Sequence, residues 1–430
     1  MLNFTKNKCG KWSGFIIFIM ANQCYADLPE KPVYTEEYHN LSKPYVKRNR
    51  SKNKISPLNK LDIKENKAGE IKRNTILQVG PGKEFSLPSI AANFAQDGDT
   101  VEIYSGGYYR GDEAVWKQNN IHIKGVSGRP HIEGYGKIKN GKAIWVIKGS
   151  NVTIENIEFS KAKVNHKNGA AIRNIGKHLK IVNCFVHDNE NGILAGAGKD
   201  TIIEIKNSEF SFNGYGKGYT HNIYIGKIAR FTITGSYVHH ANVGHNIKSR
   251  ANNNYILYNK ILDGVNGRSS YSIDIPNGGK TYLIGNVIQQ GRKTENSTVI
   301  SYGAEGLKNI DKKIMLVNNT IVNDRHYGVF VKSVKESKVY IYNNIFYGKG
   351  KLGNIKFYEG INLITKDTKL FVNPENYDYR PLNSKLIIDK GRQVNNDSGF
   401  ELVPQYEYVH PVKLVERMVD NRIDLGAFEY

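Results

Sequence analysis

The sequence predicts an all-β protein, a right-handed single-stranded parallel β-helix opened by a short capping helix, and three observations carry that prediction. Short strands of alternating apolar residues recur, each closed by Asn: Val152–Asn156, Leu179–Asn183, Ile203–Asn207, Tyr255–Asn259, Tyr282–Asn286, Met315–Asn319 and Tyr340–Asn344, with Gly235 in the Asn place once. The steps between these marks are 27, 24, 28, 24, 27, 33 and 25 residues, the length of one solenoid turn made of short strands. A second strand aligns in every repeat: Ala171–Asn174, Gly192–Ala195, Asn222–Ile225, Asn246–Arg250, Ser272–Ile275, Thr298–Ser301 and Gly328–Val331. Asn side chains stacked at successive turns can hydrogen-bond to the backbone and to each other along the stack. A leucine-rich repeat would need a Leu consensus that is absent, and a propeller blade would need a longer repeat.

The elements follow in chain order. Lys6, Lys8 and Lys11, then Phe15–Met20 and the cleavage-like Cys24-Tyr25-Ala26, read residues 1–26 as a signal peptide. Gln23 occupies the place that holds a small residue in lipid-anchored leaders, so no membrane anchor is expected. No apolar run reaches the roughly 18–20 residues of a spanning helix. An exported protein, periplasmic or secreted, is the expectation. Cleavage removes Cys9 and Cys24 and leaves Cys184, a small core filler in a strand, so no intrachain disulfide is expected. Residues 27–75 carry Pro32, Pro44, Pro57 and 12 Lys/Arg against 7 Asp/Glu, and read as a flexible basic linker. Residues 76–430 form the β-helix domain. Leu87–Ala95 reads as an amphipathic helix with Pro88 near its start, ended by Asp97-Gly98-Asp99. The less repetitive Asn376–Tyr430 is expected to complete the last coils and cover the open edge.

The formal charge is +21, most of it within the β-helix domain. A folded domain this basic attracts polyanions. Export favours an acidic polysaccharide as partner over nucleic acid. A capped solenoid is expected to be a monomer, with an oligomer left open as the alternative.

The coil pattern, the Val79-Gly80-Pro81-Gly82 opening with its helix, and the closing Asp424-Leu425-Gly426-Ala427-Phe428-Glu429-Tyr430 resemble exported bacterial proteins of the pectate-lyase-like β-helix superfamily. The resemblance covers roughly residues 76–430. It implies the fold, and leaves open lyase, hydrolase, epimerase, esterase and non-catalytic adhesive functions.

Alternation along the second strand puts Ile223, Ile225, Ile247, Ile273 and Ile275 in the core. Tyr224, Lys248 and Asp274 then form one outward column, flanked by Asn222, Asn246 and Ser272 on one side and Arg250 on the other. Earlier coils offer Arg173 and Leu194 at that position, and later ones Ile300 and Phe330. The loops add Tyr215, Tyr219, His239, His240 and Arg268, with Gly214–Thr220 placed to wall a groove. Polar residues concentrated on three coils point to a site there.

For a uronate polysaccharide, β-elimination needs a cation on the carboxylate, a base for the C5 proton and an acid for the leaving oxygen. Arg250 can fork onto the carboxylate, Lys248 can act as base and Tyr224 as acid. The catalytic set is therefore Lys248, Arg250, Tyr224, His245 and Asp274, with His221, Asn222, Asn246, His240, Arg268 and Asn277 contacting substrate. His221 and His245 occupy equivalent corners, so a stacked structural pair is an equal alternative for them. His221, His239, His240 and His245 together are not expected to hold zinc, and neither metal nor other cofactor is invoked. Glycoside hydrolysis would need two carboxylates, for which Asp274 with Asp263 is the available pair. C5-epimerisation uses nearly the groups of elimination, and a non-catalytic glycan-binding β-helix is the rival from another class.

Overall fold

The computed structural model describes residues 75–353 and 358–430. The signal-peptide reading and all but the last residue of the basic linker lie outside those residues. Among the described residues no helix is long and apolar enough to cross a membrane.

Each turn of the chain contributes one strand to each of three parallel sheets, of 12, 11 and 9 strands in the first, second and third. Neighbours in every sheet are successive coils, paired in parallel register, and the result is a right-handed parallel β-helix of about 10 turns. The sequence period becomes structure through inward columns. On the first sheet Val101, Ile123, Ile154, Ile181, Ile205, Ile233, Ile256, Leu283, Leu316 and Ile341 stack in register and are all buried. On the third, Trp145, Ile172, Ile193, Ile223, Ile247, Ile273, Ile300 and Val331 do the same. Branched side chains suit such columns because each packs on its counterpart about 4.8 Å away.

The helix spans Pro88–Phe94 with Leu87 as N-cap. It covers the first coils, where Pro88, Ala91 and Ala92 are buried. Cys184 is a core filler: its Sγ lies against the Ile154 and Val182 carbonyls, and burial pushes the thiol up to about 12.

The Asn marks of the repeat prove to be two columns, offset by one residue. Asn156, Asn183, Asn207 and Gly235 sit at the left-handed turn position, with φ of 56°, 49°, 47° and 62°. Register places Tyr258, Gly285, Asn318 and Asn343 in that same column downstream. The inner ladder is Asn259, Asn286, Asn319, Asn344 and Asn362. Each Nδ2 donates to the next Oδ1 at 2.9–3.0 Å, and that Oδ1 also accepts the preceding backbone N–H. Ser208 and Ser236 continue this ladder upstream. The turn therefore needs φ > 0 at one position, where Asn and Gly are cheapest. It needs a two-sided hydrogen-bonding amide at the next.

The C-terminal segment does not close the last coils. It folds back along the flank of the later ones in two antiparallel hairpins, Phe371–Asn373 with Asp378–Pro381 and Tyr406–Val409 with Lys413–Glu416. Leu370, Phe371, Tyr379, Leu425 and Phe428 pack on outward residues of the second sheet, and Leu402 and Val394 pack on outward Leu257, Ile284 and Val317 of the first. The reason is chemical: these outward positions are themselves apolar and require cover. The third sheet's outer face receives no such strap from the described tail.

Asn319→Ala leaves the Asn286 backbone N–H without its acceptor and takes one hydrogen bond each from the Asn286 amide, the Asn344 Oδ1 and the Leu283 carbonyl. It is expected to cost about 3 kcal/mol or more, whereas Thr153→Ala, on the outward face, should cost under about 0.5 kcal/mol. Denaturant titration of both variants checks this. Equal costs would remove the ladder from its structural role.

Candidate functional site

The outward column of the third sheet reads Val115, Val146, Arg173, Leu194, Tyr224, Lys248, Asp274, Ser301 and Lys332. Ile300 and Phe330, expected outward, lie in the core: Ile300 pairs with inward Ile273, one residue before the outward Ser301, and Phe330 stands two residues before the outward Lys332, level with Val299 at the corner. The polar run therefore extends past Asp274 through Ser301 and Lys332. Upstream the column is apolar apart from Arg173, with Val115 and Leu194 packed on Ala143, Val146 and Ala170.

Four charged side chains meet on this column. Lys248 Nζ lies 3.2 Å from Asp274 Oδ2 and 3.1 Å from Glu305 Oε1. Arg250 forks onto Glu305, Nη1 to Oε2 at 2.7 Å and Nη2 to Oε1 at 3.0 Å. Arg250 Nε donates to the Tyr224 hydroxyl at 3.1 Å, which leaves that hydroxyl its own proton to give. Arg250 Nη1 also donates to Asn277 Oδ1 at 2.7 Å. Lys248 is only 12 % exposed and Asp274 4 %, whereas Glu305 is 43 % exposed. Glu305 sits on the loop after the strand Thr298–Tyr302, which also borders a hollow of about 310 Å³ lined by Gly303, Leu307, Lys312 and Val334.

The two carboxylates are driven apart in acidity. Burial pushes Asp274 up against the opposing pull of Lys248, and its buried Oδ1 meets no hydrogen-bond partner among the described residues. The Arg250 guanidinium, with Lys248, holds Glu305 down at about 2. One carboxyl is thus disposed to accept a proton and the other to stay ionised, a division typical of acid–base sites.

His221, His245 and Tyr271 stack along the corner beside this column. Their ring centroids are 4.9 Å and 5.0 Å apart, with interplanar angles of 9° and 15°. The His245 backbone N–H donates to His221 Nδ1, and the Tyr271 backbone N–H donates to His245 Nδ1. Each ring is therefore neutral with its proton on Nε2. Burial pushes His221 down to about 3 and His245 well below its ordinary value. His245 Nε2 lies 3.5 Å from Asp274 Oδ2. The two rings are stacked, as the structural alternative expects, and His245 is the one that faces Asp274.

Several expected contacts are corrected by burial. Asn222 and Asn246 precede the three-residue strands and turn into the corner, where strict alternation no longer applies. They form a second buried ladder, Asn189–Asn213–Asn222–Asn246–Asp263, with amide-to-oxygen distances of 2.9 Å throughout. Neither is available to substrate, and Ser272 is buried with them. Asp263, accepting from Asn246 and Ser269, is structural as well and cannot partner Asp274. Asn277 positions Arg250 rather than facing the groove. His240 stacks on Phe212 and meets His239 at the second-sheet corner, away from the charged column's contacts. Arg268 is exposed in the loop between Leu262 and Ile273. Tyr215 and Tyr219, on the Gly214–Thr220 loop, are exposed.

Two site residues were not found by sequence reasoning. Tyr271 precedes its strand by two positions, as His221 and His245 do theirs, so aligning the corners would have revealed it. Glu305 lies in a loop outside the repeat and carries no periodic signal.

Neither a protein-family model nor a curated protein matches the sequence. Among solved structures, the pectate lyase Pel9A is similar with a TM-score of 0.56 and 16 % identity, over 83 % of this chain and 96 % of that one. The GH136 lacto-N-biosidase from Eubacterium ramulus has a TM-score of 0.45 and 12 % identity, over 67 % and 68 %. At these identities the first likeness establishes the parallel β-helix fold.

The buried imidazoles fix a sign for the pH dependence. His221 is neutral in the fold down to about 3, whereas the unfolded chain binds that proton below about 6.5. The unfolded state therefore holds more protons in that window, and stability falls as pH drops from 6.5 toward 3. His221→Asn keeps an acceptor near the Nδ1 place but does not titrate. Denaturation followed at pH 6.5 and 4 should show the wild type losing about 3 kcal/mol more than this variant. Parallel losses would mean that His221 is not held neutral.

Proposed function

We propose that this chain is an exported, metal-independent polysaccharide lyase that cleaves an acidic, uronate-containing polysaccharide by β-elimination on the third-sheet column. The observation that carries it is the Tyr224–Arg250–Glu305–Lys248–Asp274 cluster, in which a bidentate Arg–carboxylate pair stands beside a Lys and a proton-donating Tyr. The fold shared with Pel9A supports the architecture.

Glu305 occupies the place a substrate carboxylate would take. It is more exposed than either cation and lies on a loop. A uronate carboxylate replacing it on Arg250 receives the same fork, which withdraws charge from C5 and acidifies its proton. Lys248 passes a proton to Asp274, whose burial favours the acid form, and the amine removes the C5 proton. Electrons of the broken C–H bond form the C4–C5 double bond as the C4–O bond breaks. Tyr224, its oxygen already accepting from Arg250 Nε, protonates the departing oxygen. C5-epimerisation would use the same groups, with the C5 proton returned to the opposite face.

A second reading rests on the Asp274–Glu305 pair. Two carboxylates of opposed acidity on one ammonium could serve glycoside hydrolysis, with Asp274 as acid and Glu305 as base or nucleophile.

Incubating the protein with polyuronate substrates should raise the ultraviolet absorbance of unsaturated product. Lys248→Ala is expected to lower that rate by at least about a hundredfold, and Arg250→Lys both to raise KM and to lower kcat. New reducing ends without unsaturated product, lost in Glu305→Gln, would replace elimination by hydrolysis. A basic groove that binds polyuronate and releases no product would make the chain a binding protein.

A further inference from the structure

A second cluster lies on a different face, the outer surface of the second sheet, in coils upstream of those flanked by the C-terminal hairpins. His131 of the strand His131–Glu133, Glu158 of Glu158–Ser160 and His187 of Phe185–His187 come from three successive coils. Register sets His131 opposite Glu158, and His187 opposite Ser160, so the two histidines stand two coils apart. Their rings nonetheless lean inward over the intervening coil, with centroids 6.0 Å apart. His131 Nδ1 lies 3.5 Å and His187 Nε2 3.1 Å from the same oxygen, Glu158 Oε1. One ligand atom from each residue falls within 4.8 Å of the others, and among the described residues this is the one such group of three.

We propose that His131, Glu158 and His187 bind a divalent transition-metal ion of the zinc class, with one coordination position left to water. The donor set is two imidazoles and one carboxylate, the composition of open zinc sites. Tetrahedral bonds of that kind set ligand atoms about 3.3 Å apart, close to the two separations already present. The second nitrogens are also anchored. His131 Nε2 meets Ser160 Oγ at 2.7 Å, and His187 Nδ1 meets Asp188 Oδ2 at 3.0 Å. Phe185 stacks on His187 at 4.2 Å and fixes its plane. Outer hydrogen bonds to the non-ligating nitrogens are what orients histidine ligands in metal sites. The neighbouring carboxylate Glu133 is taken by Arg110 and Lys161, so Glu158 is the acid left to face an ion. All three ligands are part-exposed, which gives the ion entry and the open position its water. An ion here would tie three coils together and lies on another sheet from the charged column, so it takes no part in the elimination chemistry.

The test uses untagged full-length protein stripped with a chelator and titrated with Co²⁺, read by visible absorbance, and with Zn²⁺, read by calorimetry. One ion per chain is expected, with a tetrahedral or five-coordinate cobalt spectrum and a raised Tm. Glu158→Gln, which keeps the side-chain shape, and His187→Ala should each weaken binding at least tenfold. His122→Ala, which removes a His–Glu pair on the first sheet (2.8 Å to Glu155), should leave it unchanged. Circular dichroism confirms that each variant is folded. No saturable uptake, or uptake indifferent to Glu158→Gln and His187→Ala, overturns the proposal.

Discussion

Everything in this molecule depends on how a parallel coil satisfies its backbone at the corners. A strand of three to five residues must turn sharply three times per coil, and each turn leaves buried N–H and C=O groups outside the sheet ladders. The chain answers with polar side chains placed inside. One amide ladder runs from Asn259 to Asn362 and another from Asn189 to Asp263, each link joining side chain to side chain and often side chain to backbone. An amide suits this because it donates and accepts at once, so the ladder can repeat without a charge. The apolar columns between the ladders then stack in register, and the strands' outward faces are left at fixed spacing.

That spacing makes the candidate site. Tyr224, Lys248 and Asp274 are neighbours only because successive coils repeat one register. Burial differs along the cluster, and the difference sets the chemistry: Asp274 is pressed toward its acid form by the protein around it, while Glu305 stays ionised on two cations. The cluster is locally neutral, two cations against two carboxylates. The excess of basic charge elsewhere can draw in an acidic polymer, and exchange of Glu305 for a substrate carboxylate then costs the site no net charge.

The sequence made the fold legible because a solenoid writes its period into every turn. The Cys184 filler and the Tyr224–Lys248–Asp274 column follow from that period and from alternation, and the capping helix from its own amphipathic pattern with Pro88 at its start. Its failures are of one kind. Asn156, Asn183 and Asn207 look equivalent to Asn259 and Asn286, yet one set serves a left-handed turn and the other a ladder, one residue later. Asn222 and Asn246 look outward by alternation but stand just before their strands, where the corner re-aims them. Ile300 was set outward by the same one-residue ambiguity, and Phe330, two residues before the outward Lys332, is turned in at the corner as Asn222 and Asn246 are. Glu305 and the flanking hairpins lie outside the repeat, and only three-dimensional proximity reveals what they touch.

The central claim is that Arg250 and Lys248 form a carboxylate site for which Glu305 stands in. Calorimetric affinity for a uronate oligosaccharide, compared between wild type and Glu305→Ala, tests it most directly. Removing the internal competitor should tighten binding by about tenfold, equivalent to about 1.4 kcal/mol, with no loss for Thr153→Ala. Weaker binding in Glu305→Ala, or none in either protein for any uronate, would contradict it.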